Sequence, residues 1–156
     1  MRTLFVAPAG RNVGLTTATL GLLRAFDRQG VRVAFAKPLS TQAEDRSLAL
    51  VRLGTTMHPP TPIGRAVAEE LLSSGQDQLL LEKVVALCNE AARGADVLVV
   101  EGLVSEAGTA YEMRVNALMV KALDAELVLV AAPSAPGETP VQLADALAIA
   151  ARGFGE

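Results

Sequence analysis

The sequence predicts an α/β domain, a mostly parallel sheet held between two layers of helices. Three observations predict it. Four short apolar runs, residues 3–7, 31–36, 96–100 and 126–132, are rich in Val and Leu and barely alternate with polar residues, which is how strands buried on both faces read. A helical pattern follows each run, and strands alternating with helices imply parallel pairing through right-handed crossovers. The first run leads through Pro8-Ala9-Gly10-Arg11-Asn12-Val13-Gly14-Leu15-Thr16-Thr17 directly into a helix, and strand, glycine loop, helix is a layout that cradles phosphate groups.

Each element has its own signal. The first helix spans about 14–29 and Gly30 ends it, because glycine takes the left-handed conformation that closes a helix. The second strand runs into Lys37-Pro38. A long insertion, about 40–94, starts polar with Ser40-Thr41-Gln42-Ala43-Glu44-Asp45-Arg46 and becomes helical. Pro59-Pro60-Thr61-Pro62 breaks it rigidly. Helices over 63–73 and 77–93 follow, the second with Asp77 as a candidate cap. The third strand runs into Glu101-Gly102. Residues 111–123 read as a helix with Val115, Leu118, Met119 and Ala122 facing inward. The fourth strand opens onto Pro133-Ser134-Ala135-Pro136-Gly137, and a last helix, about 139–152, carries Pro140 in its tolerant first turn. The alternation then calls for another strand. The expectation is one domain, 1–156, forming a piece of a longer polypeptide.

Composition narrows the function. The chain has 156 residues, 51% of them apolar and 20% charged, enough for one domain with a real core. A net charge of −3 gives no footprint for nucleic acid or an anionic membrane. Aromatic residues at 3% offer no stacking platform for bases. The single cysteine, Cys88, excludes an internal disulfide and a cysteine zinc site and fits a reducing, cytoplasmic setting. No apolar run approaches the ~20 residues that span a bilayer.

Ligands of open parallel sheets bind beyond the carboxyl ends of the strands. Three of the four strand exits carry suited chemistry. At the first, the 10–17 loop can hold an anion through backbone N–H groups and the helix N-terminus, with Gly10, Arg11, Asn12, Val13, Gly14, Thr16 and Thr17 as candidates. The usual phosphate loop ends Gly-Lys-Ser/Thr; here Gly14-Leu15-Thr16 replaces the lysine with leucine, and the glycine spacing is one residue short. Losing that ammonium costs a few kcal/mol of phosphate affinity, on the order of one charge-assisted bond. Nucleotide binding is therefore expected to be weak, and Leu15→Lys to raise it if the loop keeps its shape. At the second exit Lys37 is either a cation aimed into the cleft or a solvated strand end. At the third, Glu101 stands where nucleotide hydrolases hold magnesium through an acidic residue, so Thr16 and Glu101 are the candidate magnesium ligands. Asp45 is a weaker candidate, better read as a solvated loop residue. His58 reads as a surface residue and Cys88 as a small buried one. Ser74, Ser105 and Ser134 lack a nucleophile-elbow context.

These residues carry a resemblance. Pro8-Ala9-Gly10 with Val13-Gly14-Leu15-Thr16, Leu20-Gly21, Arg24, Gly30-Val31-Arg32, Lys37-Pro38, Leu71-Leu72-Ser73-Ser74, Asp96 through Val104, Asn116 and Ala122-Leu123-Asp124-Ala125-Glu126 together resemble the N-terminal domain of the long, multidomain bacterial phosphate acetyltransferases. That domain is similar in fold to dethiobiotin synthetase, within the P-loop NTPase-like proteins, and the leucine in place of lysine is the family's habit. The resemblance implies a non-catalytic regulatory and assembly domain. The parent enzyme interconverts acetyl-CoA and phosphate with acetyl phosphate and CoA, in a C-terminal domain that this chain does not contain. It further implies homo-oligomerisation, contacts with the remaining domains, a small anionic effector, and at most a weakly held nucleotide or magnesium ion. A magnesium- and ATP-dependent ligase like dethiobiotin synthetase is the rival reading, and a purely structural interaction domain the third.

Overall fold

The computed structural model describes residues 1–42, 44–104, 111–133 and 137–155. The elements run β1 (Arg2–Pro8), α1 (Leu15–Arg28), β2 (Val33–Ala36), β3 (Leu39–Ser40), α2 (Arg46–Gly54), β4 (Ile63–Gly64), α3 (Arg65–Ser73), α4 (Asp77–Ala91), β5 (Val97–Glu101), α5 (Tyr111–Ala122), β6 (Glu126–Val130) and α6 (Pro140–Arg152). β2, β5, β1 and β6 lie in that order in one parallel sheet. β3 and β4 make a second, two-stranded parallel pair.

Period-two alternation sends neighbouring strand residues into two separate cores. Phe5, Ala7, Ala36, Leu98 and Val100 pack with Leu80, Val84 and Cys88 of α4 and Val115 and Met119 of α5. Val6, Phe35, Val97 and Val99 pack with Leu15 and Leu23 of α1 and Leu48 and Val51 of α2. The sheet is thus covered on both sides, which is why its strands read as unbroken apolar runs.

The connections fix where a ligand can sit. The chain passes from β1 through α1 to β2, skipping over β5, and from β5 through α5 to β6, skipping over β1. The two crossovers run in opposite directions along the sheet, so at one handedness their helices fall on opposite faces. The chain therefore diverges between β1 and β5, and a crevice opens beyond their carboxyl ends. The 10–17 loop and Glu101 are the residues there.

Several boundaries differ from the sequence reading. The second strand starts at Val33, not at residue 31, because Val31 N–H bonds Phe26 O (3.1 Å) and Gly30 N–H bonds Asp27 O (3.0 Å), with Gly30 at φ 72°. That is a Schellman closure of α1, and it uses the residues before the strand. The third strand includes Glu101, and the fourth ends at Val130. Ile63 and Gly64 pair with Leu39 and Ser40 as a short strand, so α3 begins only at Arg65. Asp77 is the first residue of α4 and pairs with Arg114 at 2.8 Å; the cap position belongs to Gln76. On α5 the buried residues are Glu112, Val115, Asn116 and Met119; Leu118 is half-buried and Ala122 is exposed. On α6, Thr139 and Gln142 form a reciprocal capping box around Pro140.

Candidate functional site

The glycine loop starts where β1 ends. Ala9 N–H donates to Val130 O (2.8 Å), tying the loop to the end of β6. Asn12 (φ 53°) and Gly14 (φ 76°) take left-handed backbone, the second being the N-cap of α1. Glycine adopts that conformation without cost, and asparagine tolerates it better than most residues. Gly14 offers no side-chain acceptor to the first turn of α1, which leaves helix N–H groups facing outward, as an anion requires. Leu15 is held by packing. It is 4% exposed, within the core cluster of Leu23, Leu48 and Val51. The residue that stands for the missing lysine is a packing residue.

The charged groups at the strand exits bond one another, with Glu101 Oε2 left buried and without a hydrogen-bond partner. Lys37 leaves β2 with its side chain 11% exposed and places Nζ 2.7 Å from Glu101 Oε1 and 3.2 Å from Asp45 Oδ2. The Glu101 side chain is 0% exposed and that of Asp45 6%. Ser47 Oγ donates to Glu101 Oε1 at 2.6 Å. Since that uses its one proton, Thr16 is the donor in the 2.8 Å Thr16 Oγ1 to Ser47 Oγ contact. Ser40 Oγ donates to Asp45 Oδ2 at 2.8 Å, and Asp45 Oδ1 caps α2 by accepting from Ser47 N–H (2.9 Å) and Leu48 N–H (3.2 Å). Burial pushes the Asp45 carboxyl up, but the Lys37 charge and the bonds from Ser40 and Leu48 outweigh it and hold the carboxyl below its ordinary range.

The structure thus joins Thr16, Lys37 and Glu101 through Ser47 and Asp45. Asp45 is not the solvated loop residue the sequence suggests, because its carboxylate is both a helix cap and a partner of Lys37. Gly10, Arg11 and Thr17 are exposed, and Val13 is half-buried. A hollow of about 310 Å³ borders the loop, and Asn12, Gly14, Leu15, Thr16 and Thr17 line it together with Arg46 and Val104. Neither Lys37 nor Glu101 lines it. Arg46, at the start of α2, faces a loop that lacks its own lysine, and sequence reasoning missed it. Ser47 was missed too. An acidic residue followed by Leu48-Ala49-Leu50-Val51 is the cap signal that would have marked the start of α2 and placed both.

Glu101 is held in register by its surroundings. Gly102 N–H bonds Val6 O (2.9 Å), and the Asn116 amide bonds both the N–H (2.8 Å) and the C=O (2.9 Å) of Leu103. A Cβ on Gly102 would meet Phe5 Cε1 at 2.8 Å and Asn116 Oδ1 at 2.9 Å, so glycine is required there by close approach. His58 is exposed, and Ser74 is bonded to Glu70 O (2.8 Å). Cys88 is buried, and burial pushes its thiol up to about 12. Ser105 and Ser134 lie outside the described residues. Among the described residues, no helix is long and apolar enough to cross a membrane.

Comparison with known proteins agrees with this layout. A family model described as an AAA domain matches residues 2–152. A phosphate acetyltransferase of Deinococcus radiodurans is 44% identical over 99% of this chain and 22% of its own length. Those of Pseudomonas aeruginosa and Escherichia coli are 41% and 33% identical over the same shares, 99% and 22%. The chain spans about a fifth of the length of these relatives, and the part it matches is their N-terminal region. With a glycine loop between β1 and α1, an acidic residue closing β5 and a match over nearly its whole length, this chain belongs to the P-loop-like AAA-domain family, in the form found at the N-terminus of phosphate acetyltransferases.

Proposed function

We propose that this chain is a regulatory and assembly domain of a phosphate acetyltransferase, without catalysis of its own. It holds an anionic metabolite or nucleotide weakly at the 10–17 loop. One observation carries the reading: Lys37 and Glu101, the cation and carboxylate that a phosphoryl-handling site would direct at its substrate, are spent on each other 2.7 Å apart in a buried pair. Phosphoryl transfer needs charge neutralised at the terminal phosphate, and Leu15 in the core supplies none. The names of the relatives support the parent activity, conversion of acetyl-CoA and phosphate to acetyl phosphate and CoA, with that chemistry carried by other parts of the polypeptide. The domain's partners are then those parts and further copies of itself, in the cytoplasm, and it needs no cofactor.

A thermal-shift titration tests this, using ATP, ADP, NADH, acetyl phosphate, pyruvate and CoA, each with and without magnesium. A ligand at ~100 times its Kd adds about 2.7 kcal/mol, several degrees for a domain of this size. A shift from one ligand, lost in Gly14→Ala, is the expected result. No shift from any of them at millimolar concentration sinks the effector role and leaves assembly alone. Turnover of ATP by the chain would overturn the reading in favour of a ligase.

A further inference from the structure

The fold family implies a magnesium ion near Thr16 and Glu101, and the residues present do not fit one. Glu101 Oε1 already takes the Lys37 ammonium at 2.7 Å and the Ser47 hydroxyl at 2.6 Å. Asp45 Oδ2 takes the same ammonium at 3.2 Å. Among the described residues, no group of three or more His, Cys, Asp and Glu side chains could hold a metal; the cluster has two carboxylates and one cation. A divalent ion on Glu101 would lie against a fixed positive charge in a poorly solvated place. The oxygens themselves suit a hard cation: two carboxylates meet the hydroxyls of Ser40 and Ser47, and Glu101 Oε2 is buried with no hydrogen-bond partner.

We infer that Lys37 is the resident cation of this cleft: its ammonium fills the position among Glu101, Asp45 and Ser47 that a divalent ion would otherwise take, so the parent chain excludes such ions, and removing the ammonium opens a divalent-cation site. The inference goes beyond the regulatory reading, because it rests on the cleft's own charges and not on any anion. The charge balance supports it. With Lys37 the two carboxylates keep one uncompensated negative charge; without Lys37 they keep two, which one divalent ion neutralises. The exchange leaves α2 in place, since its cap uses Asp45 Oδ1 and the contact with Lys37 uses Oδ2.

The test is Mn²⁺ binding by the parent chain, Lys37→Met and Lys37→Met/Glu101→Gln, read by loss of the free-ion electron paramagnetic resonance signal and by Tm. The parent chain is expected to bind no Mn²⁺ at millimolar concentration. Lys37→Met is expected to bind one equivalent and to gain several degrees in Tm at ~100 times its Kd, an effect lost in the double variant. If Lys37→Met is unfolded alone, folding on addition of Mn²⁺ is the supporting result. Three results overturn the inference: Mn²⁺ binding by the parent chain that Glu101→Gln abolishes, a folded Lys37→Met that binds none, or a Lys37→Met that stays unfolded with the ion. Anion binding by the parent chain is measured separately, so either conclusion can fail alone.

Discussion

Lys37 and Glu101 make an asymmetric pair, and the asymmetry predicts an order of stabilities. Lys37→Met, measured in EDTA, leaves a carboxylate with a 0% exposed side chain and no cation beside it among the described residues. Removing one partner of a buried pair costs about 3–5 kcal/mol. Glu101→Gln is milder. Lys37 keeps Asp45 at 3.2 Å and some contact with water, and the new amide oxygen still accepts from Ser47. Its cost is about 1–3 kcal/mol, that of an imperfectly replaced hydrogen bond to a charged group. The double variant removes the orphaned carboxylate, so its cost falls below the sum of the two by about 2 kcal/mol or more. At roughly 2–4 °C per kcal/mol for a domain of this size, Lys37→Met lowers Tm by about 6–20 °C. Urea unfolding followed by circular dichroism at neutral pH measures all three values, with the slopes checking that the unfolded states are alike. Single variants of equal cost whose effects add within ~0.5 kcal/mol would refute the reasoning, because the two groups would then not be sharing a bond.

Other expectations follow from the same geometry. Leu15→Lys removes a 4% exposed leucine from the α1 face of the core, so it loses about 2–3 kcal/mol in urea while it raises ATP affinity; unchanged affinity in the folded variant would mean that the loop does not cradle phosphate. Gly102→Ala forces a Cβ to within 2.8 Å of Phe5 and costs about 1–3 kcal/mol, and a neutral result would show that the exit of β5 can relax. The Asp45 carboxyl is held below its ordinary value of 3.8 when folded, so its contribution to stability is complete above that pH and is lost as pH falls through the lower folded value. The acid slope of the urea midpoint should therefore shrink in Asp45→Asn, and an unaltered slope would place the titration elsewhere. Cys88, buried and raised to about 12, should react with a thiol reagent only on unfolding; prompt labelling of the native chain would contradict its packing.

The architecture was legible because burial on both faces leaves a plain mark. Thr3-Leu4-Phe5-Val6-Ala7 and Val97-Leu98-Val99-Val100 alternate between two cores, and both cores demand apolar side chains. Gly30 was legible as a stop, yet its closure also took Val31 out of the strand, a backbone effect that apolar pattern alone does not register. The 40–64 region was the least legible. Leu39–Ser40 and Ile63–Gly64 are two-residue strands, too short to carry any period. At the site, Gly14 and Thr16 were marked by the glycine loop between strand and helix, and Lys37 and Glu101 by their places at the ends of strands. Asp45 and Ser47 were not, because their roles arise from α2 folding back over the sheet, 54 residues from Glu101 in the case of Ser47. A polar stretch in a sequence reads as solvated; only the tertiary contact turns Asp45 into a buried partner of Lys37.

The central claim is that the domain keeps the shape of a phosphate-binding fold with its own charges closed on each other. Calorimetric titration of the chain with ATP, once with magnesium and once with EDTA, tests it most directly. The account predicts weak or absent heat, the same in both buffers, and no release of phosphate. Binding that tightens at least about tenfold with magnesium, roughly 1.4 kcal/mol, would contradict it. The Lys37 pair would then have to open for a metal nucleotide, and the cleft would be a working one.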